Sequence, residues 1–275
     1  MTSWRPASVD DVLIRWSLQP LGSGFSTPSS HLQPVLRHGG RAMLKVARTE
    51  EEANGCRLLA WWDGTGAARV FEHDDTAAVL PWGGASLVDI AKGGDDGRAT
   101  RVLCSVAERL HSVSRRKFDE RPDGLIPLDS WFRSLFLRAG TGGFYARSAE
   151  LARRLVFDAA GPDDLVVLHG DLHHDNVLDF GDSGWLAIDP KYLVGNRVFD
   201  YTNILCNPVQ DIAESRFDRR VGLISQLAGI PESTLLEWTV AWTGLSASWA
   251  AEDRDVAAEQ RALRIGAIAE ASLGR

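Results

Sequence analysis

The segment that most constrains the fold of this chain is residues 169–176, His-Gly-Asp-Leu-His-His-Asp-Asn, which lies between two short apolar runs. The first run, residues 165–168, leads directly into it, and the second, residues 185–188, ends at Asp189. A polar turn at residues 181–184 separates the second run from the end of the loop. The pattern predicts a β-hairpin in which residues 176–178 pair with residues 185–188 across that turn, with the polar loop before the first strand and Asp189 at the end of the second.

Three side chains of this hairpin fit the chemistry of phosphoryl transfer. Such a reaction requires a positioned hydroxyl and neutralised phosphate charge more than covalent participation of the protein. Asp171 is placed to accept the hydroxyl proton as a catalytic base. Asn176 and Asp189 supply the oxygen ligands that Mg²⁺ prefers, so we predict these two residues as metal ligands.

The same loop also fits a second chemistry, metal-dependent hydrolysis of a phosphoester, because His and Asp side chains are dense in residues 169–175. A two-metal site of that kind needs further ligands at other strand ends. The remaining histidines do not stand in such a context; they are His31, His38, His73 and His111. We therefore favour phosphoryl transfer and expect His169 and His173 to shape the loop through hydrogen bonds.

The residues before the hairpin predict mainly strands. Five are predicted, at residues 12–18, 31–36, 42–46, 68–71 and 76–80. Among them, Thr49 and Glu52 form a capping box that begins one helix, which ends at Asp63-Gly64. After Pro81-Trp82-Gly83 the pattern becomes helical, with helices predicted at residues 98–113, 129–139, 145–159 and over most of 198–275.

This order predicts an α+β, protein-kinase-like fold with two lobes. The N-terminal lobe, residues 1–83, is predicted to be a five-stranded antiparallel sheet with one helix and to bind the nucleotide. The C-terminal lobe, residues 84–275, is predicted to be mainly helical and to hold the catalytic loop, the metal site and the acceptor pocket.

The predicted N-terminal lobe contains a lysine with the position that a nucleotide site needs. Lys45 interrupts an apolar strand, so its ammonium must reach solvent or face a polar cleft, where it could contact the α and β phosphates. We predict Glu52 as its anionic partner, with Glu50 and Glu51 as alternatives.

Two loops complete the predicted nucleotide site. Gly22, Ser23 and Gly24 form a candidate phosphate-covering loop, although only two of the three glycines of the usual pattern are present. A hinge that binds adenine through one C=O and one N–H is predicted at Pro81 and Gly83. Pro81 has no N–H and can only accept, so Gly83 is the expected donor, with Trp82 as the alternative.

Composition limits the partners. The net charge of −7 disfavours nucleic acid and suits a cationic small molecule. The chain shows no signal sequence and no apolar run of about 18 residues, so we expect a cytoplasmic protein that does not enter a membrane. Cys56, Cys104 and Cys206 are scattered, which predicts free thiols rather than a disulfide framework or a zinc site.

Residues 169–176 and Ile188-Asp189-Pro190 resemble the catalytic and metal motifs of the aminoglycoside phosphotransferase family. The resemblance is greatest to the aminoglycoside/hydroxyurea resistance kinases, which include streptomycin 6-kinases, and it covers nearly the whole chain. It implies ATP or another NTP as phosphoryl donor, Mg²⁺ as cofactor and a substrate hydroxyl as acceptor. On matching positions it implies the roles given above for Asp171, Asn176 and Asp189, and for Lys45 with Glu52.

The resemblance has departures near the site. Gly170 stands where protein kinases have the Arg that receives a phosphorylated activation loop, so no such switch is expected. Pro81 is unusual in the hinge, and Lys191-Tyr192 stands where smaller or apolar residues are expected. Both departures lie close to predicted ligands and leave the acceptor open.

An aminoglycoside such as streptomycin, a polycation with guanidinium groups, is the acceptor that the resemblance implies. Its pocket needs carboxylates and a flat apolar wall. Six residues of the C-terminal lobe are candidates: Asp200, Tyr201, Asn203, Trp249, Glu252 and Asp253. A metabolic kinase of a sugar or amino alcohol is the alternative, and a nucleotide-binding pseudokinase is a third interpretation that the complete set of predicted catalytic residues disfavours.

Overall fold

The first part of the chain folds into an antiparallel sheet, in a computed structural model that describes residues 4–157, 161 and 164–274. Its six strands are β1 (Gln19–Pro20), β2 (Phe25–Ser26), β3 (Ser30–Arg37), β4 (Gly40–Ala47), β5 (Glu72–His73) and β6 (Ala77–Pro81). They are ordered β1-β3-β4-β6-β5, with β2 also pairing with β3. The β3–β4 hairpin turns at His38 and Gly39, whose φ angles of 50° and 80° match the twist of the strands.

Two helices flank this sheet. Helix α1 (Val9–Arg15) occupies the first predicted strand, residues 12–18, so that prediction was wrong. The Ser8 hydroxyl accepts from the Asp11 N–H at 3.1 Å and caps the helix. Val9, Val12, Leu13 and Trp16 then recur at helical spacing and pack on the sheet. An apolar run this short fits both the helical and the strand period, and the N-cap at Ser8 favours the helix.

Helix α2 (Glu50–Trp62) begins at the predicted N-cap. The Thr49 hydroxyl accepts from the Glu52 N–H at 3.4 Å. The Glu52 side chain does not return to the cap, because it pairs with Lys45 in the site. The strand predicted at residues 68–71 was also wrong: Ala68 donates its N–H to Ala187 O at 2.8 Å, outside the sheet. The fold class is confirmed, with six strands and two helices in place of five and one.

The rest of the chain is mainly helical, as predicted. Its helices are α3 (Leu87–Lys92), α4 (Asp96–Arg116), α5 (Leu128–Trp131), α6 (Arg133–Arg138), α7 (Gly143–Phe157), α8 (Phe199–Cys206), α9 (Gln210–Ala228), α10 (Glu232–Glu252) and α11 (Val256–Leu273). The helix predicted at residues 129–139 is divided between α5 and α6. The predicted end of α7 at residue 159 lies outside the described residues. Among the described helices, none is long and apolar enough to cross a membrane.

Short strands hold the central loop. β9 (Val177–Asp179) and β10 (Trp185–Ala187) form the predicted antiparallel hairpin, with Leu178 opposite Leu186. A second small sheet was not predicted: β11 (Leu193–Asn196) lies between β7 (Ile126–Pro127) and β8 (Leu165–Leu168). The chain passes from β6 into α3 near the predicted lobe boundary at residue 83, which stays a prediction.

Helix α2 packs closely, at Gly55, against the loop that follows β10. A Cβ atom on Gly55 would lie 2.6 Å from the Pro190 carbonyl oxygen, so any larger residue would push the helix away from that loop. Leu59 and Trp62, on the same helix, belong to the large apolar core of the helical part. The helix therefore fixes Glu52 in a set position relative to Asp189.

We predict that Gly55→Ala destabilises the protein by about 1–3 kcal/mol, because the added methyl group meets backbone rather than a mobile side chain. The matched control is Gly222→Ala in α9, where an added Cβ would meet only the Glu232 side chain at 3.5 Å. There the higher helix propensity of Ala should leave stability unchanged or raise it by up to about 1 kcal/mol. Urea unfolding of both variants measures the difference, and equal stabilities would refute the proposed close approach.

Candidate active site

One buried carboxylate holds the backbone of the central loop, residues 169–176. Asp200, on α8, accepts from the N–H of His169 at 3.0 Å and from the N–H of Gly170 at 2.7 Å. The His111 ring lies 2.8 Å from the same carboxylate. Asp200 is 1% exposed and Tyr201 is fully buried, so neither has surface to offer a substrate. This corrects the prediction that these two residues bind the acceptor: Asp200 anchors the loop and Tyr201 packs in the core.

Gly170 is required by its conformation and its surroundings. Its φ angle is +79°, in the left-handed region that favours glycine. A Cβ atom there would also lie 2.7 Å from Leu193 Cδ1 and 2.9 Å from Lys191 Cβ. The loop consequently turns sharply just before Asp171 and packs against the segment that follows Asp189.

His169 and His174 are fully buried, and His173 Nδ1 accepts from the Asp175 N–H at 3.3 Å, while its Nε2 lies 3.6 Å from Asp171 Oδ1. His169 Nε2 lies 2.9 Å from the Ile188 carbonyl oxygen and therefore donates, while Nδ1 accepts from the Asp171 N–H at 3.3 Å. Burial lowers the pKa of His169, which keeps this neutral tautomer. Burial, together with the nearby Arg220 guanidinium, lowers the pKa of His174 to about 3. Within the described residues, no three His, Cys, Asp or Glu side chains are grouped to hold a metal ion, as the rival hydrolase would require.

Two amides hold the Asp171 carboxylate, one on each oxygen. Asn203 Nδ2 donates to Oδ1 at 2.8 Å, and Asn176 Nδ2 donates to Oδ2 at 3.2 Å. Asn207 in turn donates to Asn203 Oδ1 at 2.8 Å, which fixes the orientation of the Asn203 amide. Asn203 was predicted to bind substrate; the structure places it as a support of Asp171. The sequence offered one signal for Asn207, its spacing of one helical turn from Asn203.

Of the two predicted metal ligands, Asn176 contacts this carboxylate, and Asp189 follows Ile188, whose N–H donates to the Asn176 carbonyl oxygen at 2.9 Å. Because Asn176 uses Nδ2 for hydrogen bonds to Asp171, its Oδ1 atom is the one available to a cation. Asp189 has φ +58°, a conformation that is uncommon for residues other than glycine and typical of functional sites. Its side chain is 42% exposed, so its carboxylate is accessible to a ligand. One amide and one carboxylate oxygen suit Mg²⁺, which shares its coordination shell with phosphate and water.

The structure brings the predicted lysine and glutamate together. Lys45 Nζ, on β4, lies 2.5 Å from Glu52 Oε2 and 2.8 Å from Asp189 Oδ1. Burial by itself lowers the pKa of Lys45, but the charges of Asp189 and Glu52 raise it by more, so the ammonium stays charged. Ser30 adds a hydrogen bond to Glu52 at 3.2 Å. Of the three glutamates considered from sequence, Glu52 is the one in contact with Lys45.

The two predicted nucleotide loops adjoin different strands of the sheet: the glycine loop lies at the β1 edge, and the hinge follows β6, which lies between β4 and β5. Gly22, Ser23 and Gly24 connect β1 and β2, and a Cβ on Gly24 would lie 2.8 Å from the Leu32 carbonyl oxygen. At the hinge, Pro81 ends β6 and Gly84 donates its N–H to Asp179 O at 2.7 Å.

The Gly83 N–H remains available as a donor at the hinge, since no hydrogen bond to it is formed within the described part of the chain. A Cβ on Gly83 would lie 2.6 Å from Leu178 Cδ1. The hinge backbone therefore packs closely against the β9 strand of the hairpin.

A cleft of about 480 Å³ opens beside these groups; its walls are Glu51, Ser130, Trp131, Arg133, Ser134, Lys191 and Trp249. The rings of Trp131 and Trp249 meet edge to face at 5.3 Å. Glu252 accepts from Ser134 at 3.3 Å, whereas Asp253 is exposed where α10 ends. A second cavity, of about 510 Å³, lies between Asn207 and helices α10 and α11. The cleft of Trp131 and Trp249 is the one connected to the Lys45 site, because Lys191 in its wall contacts Glu52.

Known proteins with similar sequences or folds give a consistent result. A family model described as aminoglycoside/hydroxyurea antibiotic resistance kinase matches residues 15–254. Streptomycin 3''-kinase of Klebsiella pneumoniae is 45% identical over 244 residues, which cover 86% of this chain and 89% of that protein. Streptomycin 6-kinase of Streptomyces glaucescens is 32% identical over 276 residues, covering 94% and 87%.

Solved structures agree on the fold. A thermostable mutant of aminoglycoside phosphotransferase APH(4)-Ia, in a ternary complex with AMP-PNP and hygromycin B, superposes with a TM-score of 0.70. The two sequences are 11% identical, and the match covers 98% of this chain and 100% of that one.

We predict that Asp200 contributes to stability in a pH-dependent way. Burial by itself raises its pKa, but the hydrogen bonds from His111 and Gly170 lower it by more, so the pKa lies below its ordinary value. The pKa of an Asp side chain in the unfolded chain is about 3.9. The stabilisation by Asp200 is therefore complete above that pH and is lost as the pH falls below it.

Asp200→Asn should lose about 3 kcal/mol at pH 7, because an amide cannot accept all of the N–H groups that surround the carboxylate. Its stability should also fall less steeply than that of the wild type as the pH is lowered from about 5 to 2. Urea unfolding across this range tests both statements, with Asp182→Asn in the exposed hairpin turn as control. Parallel pH curves for Asp200→Asn and wild type would contradict the assignment.

Proposed function

The chain belongs to the aminoglycoside/hydroxyurea antibiotic resistance kinase family, and from that premise we propose that it transfers the γ-phosphoryl group of Mg-ATP to a hydroxyl of streptomycin. As a member of the family it is a phosphotransferase with an alcohol group as acceptor. The observation that carries the proposal is the connection between two groups of residues. Asn176 holds the Asp171 carboxylate and accepts from the N–H of Ile188, and the next residue, Asp189, pairs with Lys45.

In the proposed reaction Asp171 accepts the proton of the acceptor hydroxyl. The hydroxyl oxygen forms a bond to the γ phosphorus as the bond from that phosphorus to the β–γ bridging oxygen breaks, and the electron pair leaves with ADP. Asn203 and Asn176 keep the carboxylate oriented, so the base needs no rearrangement when the substrates arrive.

The nucleotide is held, in this proposal, by groups from both parts of the chain. Lys45 orients the α and β phosphates, while Gly22, Ser23 and Gly24 cover them. Pro81 accepts from adenine and Gly83 donates to it. Bound Mg²⁺, held by Asn176 and Asp189, would neutralise phosphate charge.

Two observations favour streptomycin as the acceptor. The aromatic corner of Trp131 and Trp249 offers flat faces on which a guanidinium can stack, and Glu252 stands close by as a carboxylate. Identity to the 3''-kinase is 45%, against 32% to the 6-kinase, which favours the 3'' hydroxyl as the site of transfer.

The acceptor is tested by incubating the purified protein with Mg-ATP and single candidate acceptors while ADP release is followed. We expect acceptor-dependent ADP with streptomycin and a phosphorylated product whose 3'' position is identified by NMR. The panel includes other aminoglycosides, hydroxyurea, sugars and amino alcohols. Turnover with a sugar or amino alcohol but not with streptomycin would overturn the acceptor, and ADP release with none of them would favour a binding module.

Asp171→Ala should lower kcat by roughly 10²–10⁴-fold, since it removes the proton acceptor that acts in the transition state. Binding of ADP to this variant should stay within about twofold of wild type, because Asp171 lies on the acceptor side of the phosphates. The matched control is Asp182→Asn, which changes an exposed carboxylate in the hairpin turn. Near-normal turnover by Asp171→Ala would show that another group is the base.

A further inference from the structure

We propose that Lys191 is a second phosphate-binding cation, whose ammonium contacts the γ-phosphoryl group of the nucleotide during transfer. The inference rests on the proposed kinase function and names a residue that the sequence marked only as a departure from the family pattern. The proposal follows from the positions of the Lys191 backbone and of the Lys191 ammonium.

The backbone of Lys191 is fixed to the catalytic loop. Its N–H donates to the His169 carbonyl oxygen at 2.7 Å, and its Cβ lies within 2.9 Å of the place where a Gly170 Cβ would be. The next residue of that loop is Asp171, the proposed base. The Lys191 side chain therefore starts beside the group that receives the hydroxyl proton.

The other end of the side chain lies at the nucleotide site. Lys191 Nζ is 3.6 Å from Glu52 Oε1, and the second oxygen of the same carboxylate is 2.5 Å from Lys45 Nζ. One carboxylate thus stands between two ammonium groups. The transferred group must pass from the phosphates held by Lys45 to a hydroxyl held at Asp171, and Lys191 spans these two positions.

The contacts of Lys191 leave its ammonium available to a ligand. Its distances to Glu51 and Glu52, 3.3 and 3.6 Å, exceed the 2.5 and 2.8 Å that hold Lys45. Its side chain is 24% exposed and lines the acceptor cleft, whereas that of Lys45 is 4% exposed. A lysine ammonium on a flexible four-carbon stem can turn from such partners to a phosphate oxygen.

Charge identifies which substrate the ammonium contacts. A cationic acceptor is repelled by an ammonium in its own cleft, so this group does not serve acceptor binding. The equatorial oxygens of a transferring phosphoryl group carry negative charge and are stabilised by fixed cations. Lys191 therefore stabilises the γ-phosphoryl group as it is transferred, while Lys45 stabilises the α and β phosphates, which stay with ADP.

The test compares nucleotides that differ in the γ-phosphate. Lys191→Met, which keeps the length of the side chain and removes its charge, is titrated with Mg-ADP and with Mg-AMP-PNP by calorimetry, without acceptor. We expect AMP-PNP to bind roughly tenfold more weakly than to wild type and ADP to bind within about twofold. Lys191→Arg should restore much of the AMP-PNP affinity, and Lys117→Met, on an exposed residue, should change neither.

Turnover provides a second readout. With an acceptor that the wild type phosphorylates, Lys191→Met should lower kcat by roughly 10²-fold and change the acceptor KM little. Equal losses of ADP and AMP-PNP affinity, or no loss of either, would overturn the proposal in favour of a structural anchor for α2. An effect confined to the acceptor KM would overturn it in favour of acceptor selection. Since the binding measurements contain no acceptor, they decide the role of Lys191 even if streptomycin proves to be the wrong substrate.

Discussion

The Lys45 ammonium, buried between two carboxylates, is the interaction on which the arrangement of the site depends. Burying a charge without partners costs several kcal/mol. The contacts of the Lys45 ammonium with Glu52 and Asp189 offset that cost. These three residues come from the sheet, from α2 and from the end of the hairpin. Their pairing therefore couples elements that are far apart in sequence, and the close approach at Gly55 is the packing that makes the coupling possible.

The sequence predicted the parts of the fold whose signals are local. The N-cap at Thr49, the hairpin turn at residues 181–184 and the helical period of α4 each depend on a few neighbouring residues, and each is confirmed. The first strand was wrong because its apolar residues fit both periods and Ser8 caps a helix. The small sheet of β7, β8 and β11 was missed because its pairing joins segments with no common local pattern.

For the site, the sequence predicted which residue types the chemistry needs and could not predict which of them are buried. Lys45, Glu52 and Asp189 are brought together as expected. Asp200 and Asn203 were predicted from their charge and polarity to face a substrate, yet both are buried and form hydrogen bonds to residues 169–171. Only tertiary packing distinguishes a carboxylate that binds a ligand from one that holds a backbone, and no local pattern records that difference.

The anchoring of the catalytic loop by Asp200 has a consequence for how such a protein can change. Its carboxylate contacts main-chain N–H groups of the loop, which every residue other than proline possesses. The anchor thus places no demand on the side chains that line the cleft of Trp131 and Trp249. In the proposed function, substitutions at Trp131, Ser134 or Trp249 would change the acceptor site and leave the contacts that Asp200 makes to the loop backbone intact.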